Sequence, residues 1–332
     1  MSEVIHISVD ADGIATLLFD RTDSAMNTMD MKFMDEMEAA VERLVSDDGI
    51  KGAIFTSGKA VFAAGADLKG IEASLEAQDT PVAERLARNA SLSKLLRRME
   101  TCGKPVACAI NGTALGGGTE IALACHYRVA ADTKGIQLGL PEVQVGLLPG
   151  GGGTQRVSRL IGIQASMPVL VEGQALSAEK ALKMGLIHRI VPADRLLAEA
   201  RRWLVEEGDP VQPWDRKGYK VPGGAGPMSP AVAQMLVVSN AMLQAKTFHN
   251  LPAPKAILSC LYEGPQLPMD KALEVEAKYF TQLQLDPVSR NMIRTLFINK
   301  GKADKLMHRP EGIPKTTFRK IGVVGAGLMG CP

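Results

Sequence analysis

Apolar and polar positions alternate from the start of the chain: IHISVD and GIATLLFD each repeat with a period of two. The turn-prone Ala11-Asp12-Gly13 separates them, which predicts a β-hairpin. From about Asp30 to Ser46 the period lengthens, placing Met34, Met37, Val41, Leu44 and Val45 on one face of a predicted helix. KGAIFTSG then reads as a buried strand ending at a glycine. A second helical pattern over roughly Val82 to Glu100 leads into KPVACAI, another buried strand, then Asn111-Gly112 and a glycine cluster. After the cluster come the apolar stretch IALACHYRVA, a short strand near IQLG, and PGGGGTQR, a turn predicted to open a helix. From Ile163 to about Glu207 the pattern is mainly helical, with one short strand at LIHRIV. Strand and helix thus alternate in the manner of an α/β fold.

Composition narrows the class. With 46% hydrophobic and 22% charged residues over 332 positions, the chain can bury a full core, and an ordinary soluble globular protein is expected. A formal charge of +2 with no Lys/Arg run argues against nucleic acid or an anionic membrane surface as partner. No apolar run reaches the length of a membrane span. The five cysteines (Cys102, Cys108, Cys125, Cys260 and Cys331) are odd in number and form no C-x-x-C pair. That disfavours a disulfide framework or a zinc site and suits a reducing compartment. The five histidines lack H-E-x-x-H spacing, so no metal is expected. The opening MSEVIHISVD has neither signal-peptide nor transit-peptide character, and a cytoplasmic location is the expectation.

Three segments carry candidate chemistry. In NGTALGGGTE, Gly116, Gly117 and Gly118 let a ligand approach the backbone where a helix begins. Unpaired N–H groups and the helix dipole favour an oxygen anion there. Glu120, three residues after Gly117, is expected one turn on and on the same face. Glu142 follows a proline in GLPEVQVGLLPGGGGTQR and is expected in a loop. Two carboxyls sharing a dry pocket should divide into one acid and one base. In AVFAAGADL the lack of bulk around Gly65 makes the Ala66 N–H a candidate second donor to a substrate oxygen. PGGGGTQR lacks the Gly-Lys-Ser/Thr ending of a P-loop, which argues against a nucleotide triphosphatase.

The blocks KAVFAAGADL, NGTALGGGTEIALACHYRVA and LPEVQVGLLPGGGGTQRVSRLIG resemble, in that order, the core of the crotonase, or enoyl-CoA hydratase, superfamily. The resemblance implies an α/β fold built as a spiral of repeated ββα units with a helical C-terminal region. It implies that Ala66 and Gly117 donate the oxyanion-hole N–H groups, that Glu120 and Glu142 are the catalytic pair, and that Gly150 orients the water. It further implies that Ala64 offers its carbonyl to CoA, and that Phe297 and Lys300 approach CoA from a C-terminal helix. Thr119 stands where many relatives have Cys. The implied reaction is hydration of enoyl-CoA with no cofactor, with isomerisation of the double bond as a second activity.

Other crotonase-type acyl-CoA chemistry, such as decarboxylation or thioester hydrolysis, is the alternative, as is a non-catalytic module that binds CoA or docks a thiolase. KIGVVGAGLMG, with Gly325, Gly327 and Gly330 in G-x-G-x-x-G spacing, is similar to the opening of an NAD-binding 3-hydroxyacyl-CoA dehydrogenase domain. The acidic residue such a site needs about 20 positions on is absent. The expected organisation is therefore a core over residues 1–207, a Pro/Gly-rich linker over 208–229, a helical region over 230–310, and a second linker with an incomplete NAD motif over 311–332. That order resembles the hydratase part of a multifunctional fatty-acid β-oxidation enzyme. A thiolase subunit or further copies of the chain are the partners the resemblance implies.

Overall fold

The computed structural model describes residues 4–67, 70–72, 80–307, 309–310, 312–314 and 316–322. The hairpin forms as expected, with β1 (Ile5–Val9) antiparallel to β2 (Ile14–Phe19). Four further strands extend the sheet in parallel: β3 (Gly52–Ser57), β4 (Val106–Ile110), β6 (Tyr127–Ala131) and β9 (Arg189–Val191). Their order is β1-β2-β3-β4-β6-β9. Every residue of β3, β4 and β6 is buried, as parallel strands covered on both faces must be. A smaller sheet runs β5-β7-β8, from β5 (Ala114–Leu115), β7 (Gln137–Gly139) and β8 (Leu176–Ser177). From β4 onward the chain thus alternates between the sheets, β4, β6 and β9 entering the large one and β5, β7 and β8 the small one.

Helix α1 (Met31–Ser46) starts at Asp30, whose carboxylate caps the Phe33 amide at 2.9 Å. Phe33, Met37, Ala40, Val41 and Leu44 are its buried positions, while Met34 and Val45 lie half-buried on the flank. Fully burying side chains of this size contributes roughly 1.5–3 kcal/mol each. The helix expected over Val82–Glu100 is two, α2 (Val82–Asn89) and α3 (Ser91–Glu100). The join sits where the Asn89 side chain turns to Thr281 and Gln284, and where Ser91 Oγ donates back to the Arg88 carbonyl. The apolar stretch after the glycines also divides, into α4 (Gly117–Ala124) and β6.

The chain continues through α5 (Gly153–Ile161), α6 (Ile163–Leu170), α7 (Ala178–Met184) and α8 (Leu196–Glu206). The segment 208–229 is irregular apart from a 3₁₀ turn at Pro213–Asp215. It is nonetheless held down, because buried Gln212 donates to the carbonyls of Ala124 and Cys125, and Asp215 pairs with Arg97. The helical region comprises α9 (Pro230–Thr247), α10 (Pro252–Glu263), α11 (Met269–Leu285) and α12 (Pro287–Met292), a π-helical segment (Ile293–Asn299) and α13 (Lys300–Asp304). Its Leu236, Ile257, Leu261, Leu283 and Ile293 join the same hydrophobic cluster as Phe33, Phe55 and Leu96. Among the described residues no helix is long and apolar enough to cross a membrane. Gly325, Gly327 and Gly330 lie outside the described residues.

Candidate active site

The loops after β3 and β4 meet at the start of α4. Ala63 bridges Ala114: its N–H donates to the Thr113 carbonyl at 3.3 Å, and its carbonyl accepts from the Leu115 N–H at 3.0 Å. Gly65, at φ +92°, packs on the next residues so closely that a Cβ there would stand 3.3 Å from the Leu115 carbonyl. Ala66 is in turn bridged to Met29, whose N–H donates to the Gly65 carbonyl and whose carbonyl accepts from the Asp67 N–H. In a parallel bridge those bonds flank the opposed residue, so the amide of Ala66 points away from Met29. Gly117 is the first residue of α4, and a first-turn amide has no partner within its helix. The Met29 methyl fills the space a Gly117 side chain would need, at 1.8 Å from an ideal Cβ.

Both predicted carboxyls face this glycine pair. An ideal Cβ on Gly116 would stand 2.8 Å from Glu142 Oε1, and one on Gly117 would stand 3.8 Å from Glu120 Oε2. Successive Cα atoms are about 3.8 Å apart, so the two acids flank one short stretch of backbone. Glu142 occupies a 3₁₀ turn (Pro141–Val145) rather than an open loop, because Pro141 fixes its first φ and Gly146, at φ +78°, closes it in the left-handed region. Thr119 holds the two together: its Oγ1 donates to the Ala114 carbonyl (2.7 Å) and accepts from the Gly139 N–H (3.2 Å). The helix carrying Glu120 is thereby tied to the strand that leads to Glu142.

The carboxyls differ in their surroundings. Glu120 is buried, and its Oε1 accepts from the amides of Gly151 (2.7 Å) and Gly153 (2.8 Å) at the start of α5. Burial raises its pKa above the usual carboxylate range, and the two amides and the Arg156 charge oppose part of that rise. Glu142 is half-buried as a residue, yet its Oε2 is sealed from solvent without a hydrogen-bond partner among the described residues. Burial, then the charge of Glu120, hold Glu142 well above the ordinary range. The two amides on Glu120 and the absence of any donor to Glu142 Oε2 among the described residues therefore favour placing a shared negative charge on Glu120.

Other predicted residues are spread around this centre. Gly150 lies at the glycine turn under the Phe280 ring, which would stand 3.1 Å from a Cβ there. Ala64 donates its N–H to the Asn27 carbonyl. Phe297 is half-exposed in the π-helical segment, and Lys300 pairs with Asp304 at 2.6 Å on the surface. Sequence reasoning missed Glu276, which is fully buried on α11. It accepts from the amides of Gly152 (2.6 Å) and Thr154 (2.9 Å) and from Thr154 Oγ1. It also missed the buried ion pair of Arg156 and Glu100 (3.0 Å) beneath the turn, from which Arg156 also donates to the Gly151 carbonyl. A glutamate at an apolar position of the Met269–Leu273–Glu276–Phe280 stripe was the available signal. Among the described residues no group of His, Cys, Asp and Glu is placed to hold a metal ion.

Two carboxyls in different surroundings, beside a helix start whose Gly117 amide has no partner within the helix, form an arrangement suited to acid–base work next to a developing oxyanion. A sequence profile described as Enoyl-CoA hydratase/isomerase matches residues 10–207. The chain is 38% identical over 323 residues to the fatty acid oxidation complex subunit alpha of Shewanella loihica, covering 96% of this chain and 44% of that protein. It thus spans less than half the length of that relative. Among solved structures it is similar to human mitochondrial delta3-delta2-enoyl-CoA isomerase, at 20% identity and a TM-score of 0.62 over 91% of this chain and 99% of that one. An enoyl-CoA hydratase from Bacillus halodurans matches at 22% identity and a TM-score of 0.62, over 87% and 98%. These structures share the fold. The chain belongs to the enoyl-CoA hydratase/isomerase family of the crotonase superfamily, as its sequence blocks implied.

Proposed function

We propose that this protein is a 2-enoyl-CoA hydratase, adding water across the 2,3 double bond of enoyl-CoA thioesters to give 3-hydroxyacyl-CoA in fatty-acid β-oxidation. The observation that carries the reading is the placement of Glu120 and Glu142 against Gly116-Gly117, next to the loop that bears Ala66. Conjugation makes C3 of the enoyl thioester electrophilic, and attack there moves an electron pair onto the thioester oxygen. The amides of Ala66 and Gly117 hold that charge; losing one such donor typically costs about 3–4 kcal/mol of barrier. Ionised Glu120 takes a proton from water as its oxygen bonds to C3. Protonated Glu142 delivers its proton to C2 as the enolate collapses. The sealed, unpartnered Oε2 of Glu142 favours the neutral form that this role requires. No cofactor is needed, since both protons travel on carboxyls.

The same enolate chemistry moves a double bond from position 3 to position 2, and isomerisation is part of the proposal. Gly150 is assigned to the attacking water, and Ala64, Phe297 and Lys300 to the CoA portion. The relative from Shewanella loihica is named as a subunit of a fatty acid oxidation complex, which supports a partner subunit; a thiolase is the partner proposed. The test is loss of the enone absorbance of crotonyl-CoA on adding the protein, with Glu120→Gln and Glu142→Gln each slowing it about 10²–10⁴-fold. Unchanged absorbance across a panel of acyl-chain lengths would leave a decarboxylase, a thioester hydrolase or a non-catalytic CoA-binding module.

A further inference from the structure

Four consecutive amides at the start of α5 alternate between two buried carboxyls. Gly151 and Gly153 donate to Glu120, and Gly152 and Thr154 donate to Glu276. Glu120 comes from α4 and Glu276 from α11, more than 150 positions later in the chain. The turn between them has little freedom of its own. Gly152 sits at φ +102°, and its Cβ position lies 2.0 Å from Arg156 Nη1, while those of Gly151 and Gly153 lie within 3 Å of Glu120 oxygens. Thr154 Oγ1 adds a third donor to Glu276 and receives the Gln155 side-chain amide. The charged and titratable groups around Glu276 are Glu120, Glu142, Arg156 and Cys260.

Without Glu276, the Gly152 and Thr154 amides would be buried and unpaired, a cost of about 1–3 kcal/mol each. The turn relieves that cost by rotating those amides toward the one carboxyl left, Glu120, and so displaces the two that now hold it. We propose that Glu276 is a positioning residue for the hydration step: it fixes the glycine turn so that the Gly151 and Gly153 amides orient Glu120 toward the attacking water. This rests on the hydratase reading above. Glu276 touches no reacting atom and acts through the turn. It also lies in the helical region beyond residue 207, where the family profile stops, so the catalytic unit extends past the family core.

The test compares two reactions in one preparation of the whole chain. Hydration of crotonyl-CoA uses both glutamates. Exchange of the C2 protons of butanoyl-CoA with deuterium runs the Glu142 step in reverse, ionised Glu142 taking a proton from C2 and returning a deuteron while the backbone donors hold the enolate, and it adds nothing at C3. Each rate is read at the plateau of its own pH profile. Their ratio is independent of the fraction of protein folded. Glu276→Gln keeps the shape but offers one acceptor oxygen to two amides, and it should lower the hydration-to-exchange ratio at least tenfold. KM for crotonyl-CoA should stay within about twofold, because a misplacement near 1 Å costs about 10² in rate rather than in binding. Glu276→Ala should lower the ratio further. A ratio within twofold of wild type for both variants overturns the inference while leaving the hydratase reading intact. A wild-type protein that exchanges C2 protons but does not hydrate overturns the reading itself.

Discussion

Gly116→Ala tests the geometry on which the proposed chemistry depends. Gly116 sits at φ +56° and ψ −129°, a region glycine occupies and alanine avoids, so the substitution costs about 1–3 kcal/mol in backbone strain alone. The added methyl carbon would stand 2.8 Å from Glu142 Oε1, against ordinary contact from 3.4 Å, so the carboxyl must retreat by about 0.6 Å. Its neighbours limit the retreat, because Thr119 and Gly146 fix the ends of its turn. Since about 1 Å of misplacement can cost 10² in rate, a fall of about 10- to 100-fold in kcat for crotonyl-CoA hydration is expected. A paired variant separates strain from displacement: Gly103→Ala also has a positive φ, +78°, but no atom within 4 Å of the new carbon. It should lower the melting temperature and leave kcat within twofold. The measurements are the enone absorbance assay and a thermal melt on each protein. Gly116→Ala protein that melts early yet hydrates at the wild-type rate would refute the placement of Glu142 at the reacting carbons.

Two further outcomes are expected. The pH dependence of kcat/KM should be bell-shaped, because the proposed mechanism needs Glu120 ionised and Glu142 protonated. Burial raises the pKa of Glu120, so activity is lost as pH falls through that raised value; Glu142 is raised further, so activity is lost again as pH rises through it. Residual activity of Glu142→Gln should lack the basic limb, and a retained basic limb would assign it to another group. Arg156→Met removes the fully buried partner of Glu100, an interaction whose one-sided loss typically costs about 3–5 kcal/mol. Denaturant unfolding should show about 3 kcal/mol, the low end, because Arg97 still contacts Glu100. The acid limb of the rate profile should also move up in pH, since the Arg156 charge lowers the pKa of Glu120; an unmoved limb would remove Arg156 from the site's electrostatics.

What the sequence made legible is local. The hairpin, α1 with its Asp30 cap, and the buried strands β3 and β4 follow from periodicity and turn residues within a dozen positions. The glycine-to-Glu120 spacing was readable for the same reason, since one helical turn fixes both ends. The break at Ala90 was not, because the side chains that set it bond to Thr281 and Gln284 almost 200 positions away. Glu276 escaped on the same ground: in a window around α11 a lone glutamate reads as a solvated charge, and its amide donors lie 122 and 124 residues earlier. The 3₁₀ turn at Glu142 was hidden as well, since Pro141 and Gly146 are equally good signals for an irregular loop.

The acceptor for the Gly152 and Thr154 amides comes from a helix translated more than 110 codons after them. On the ribosome the sheet can form as soon as β9 emerges, but the glycine turn must wait for α11 before its backbone is satisfied. Closing so long a loop is slow compared with local pairing, so activity matures after most of the secondary structure is in place. A nascent chain halted near residue 207 would carry a nearly complete sheet and a glycine turn still lacking half of its anchors.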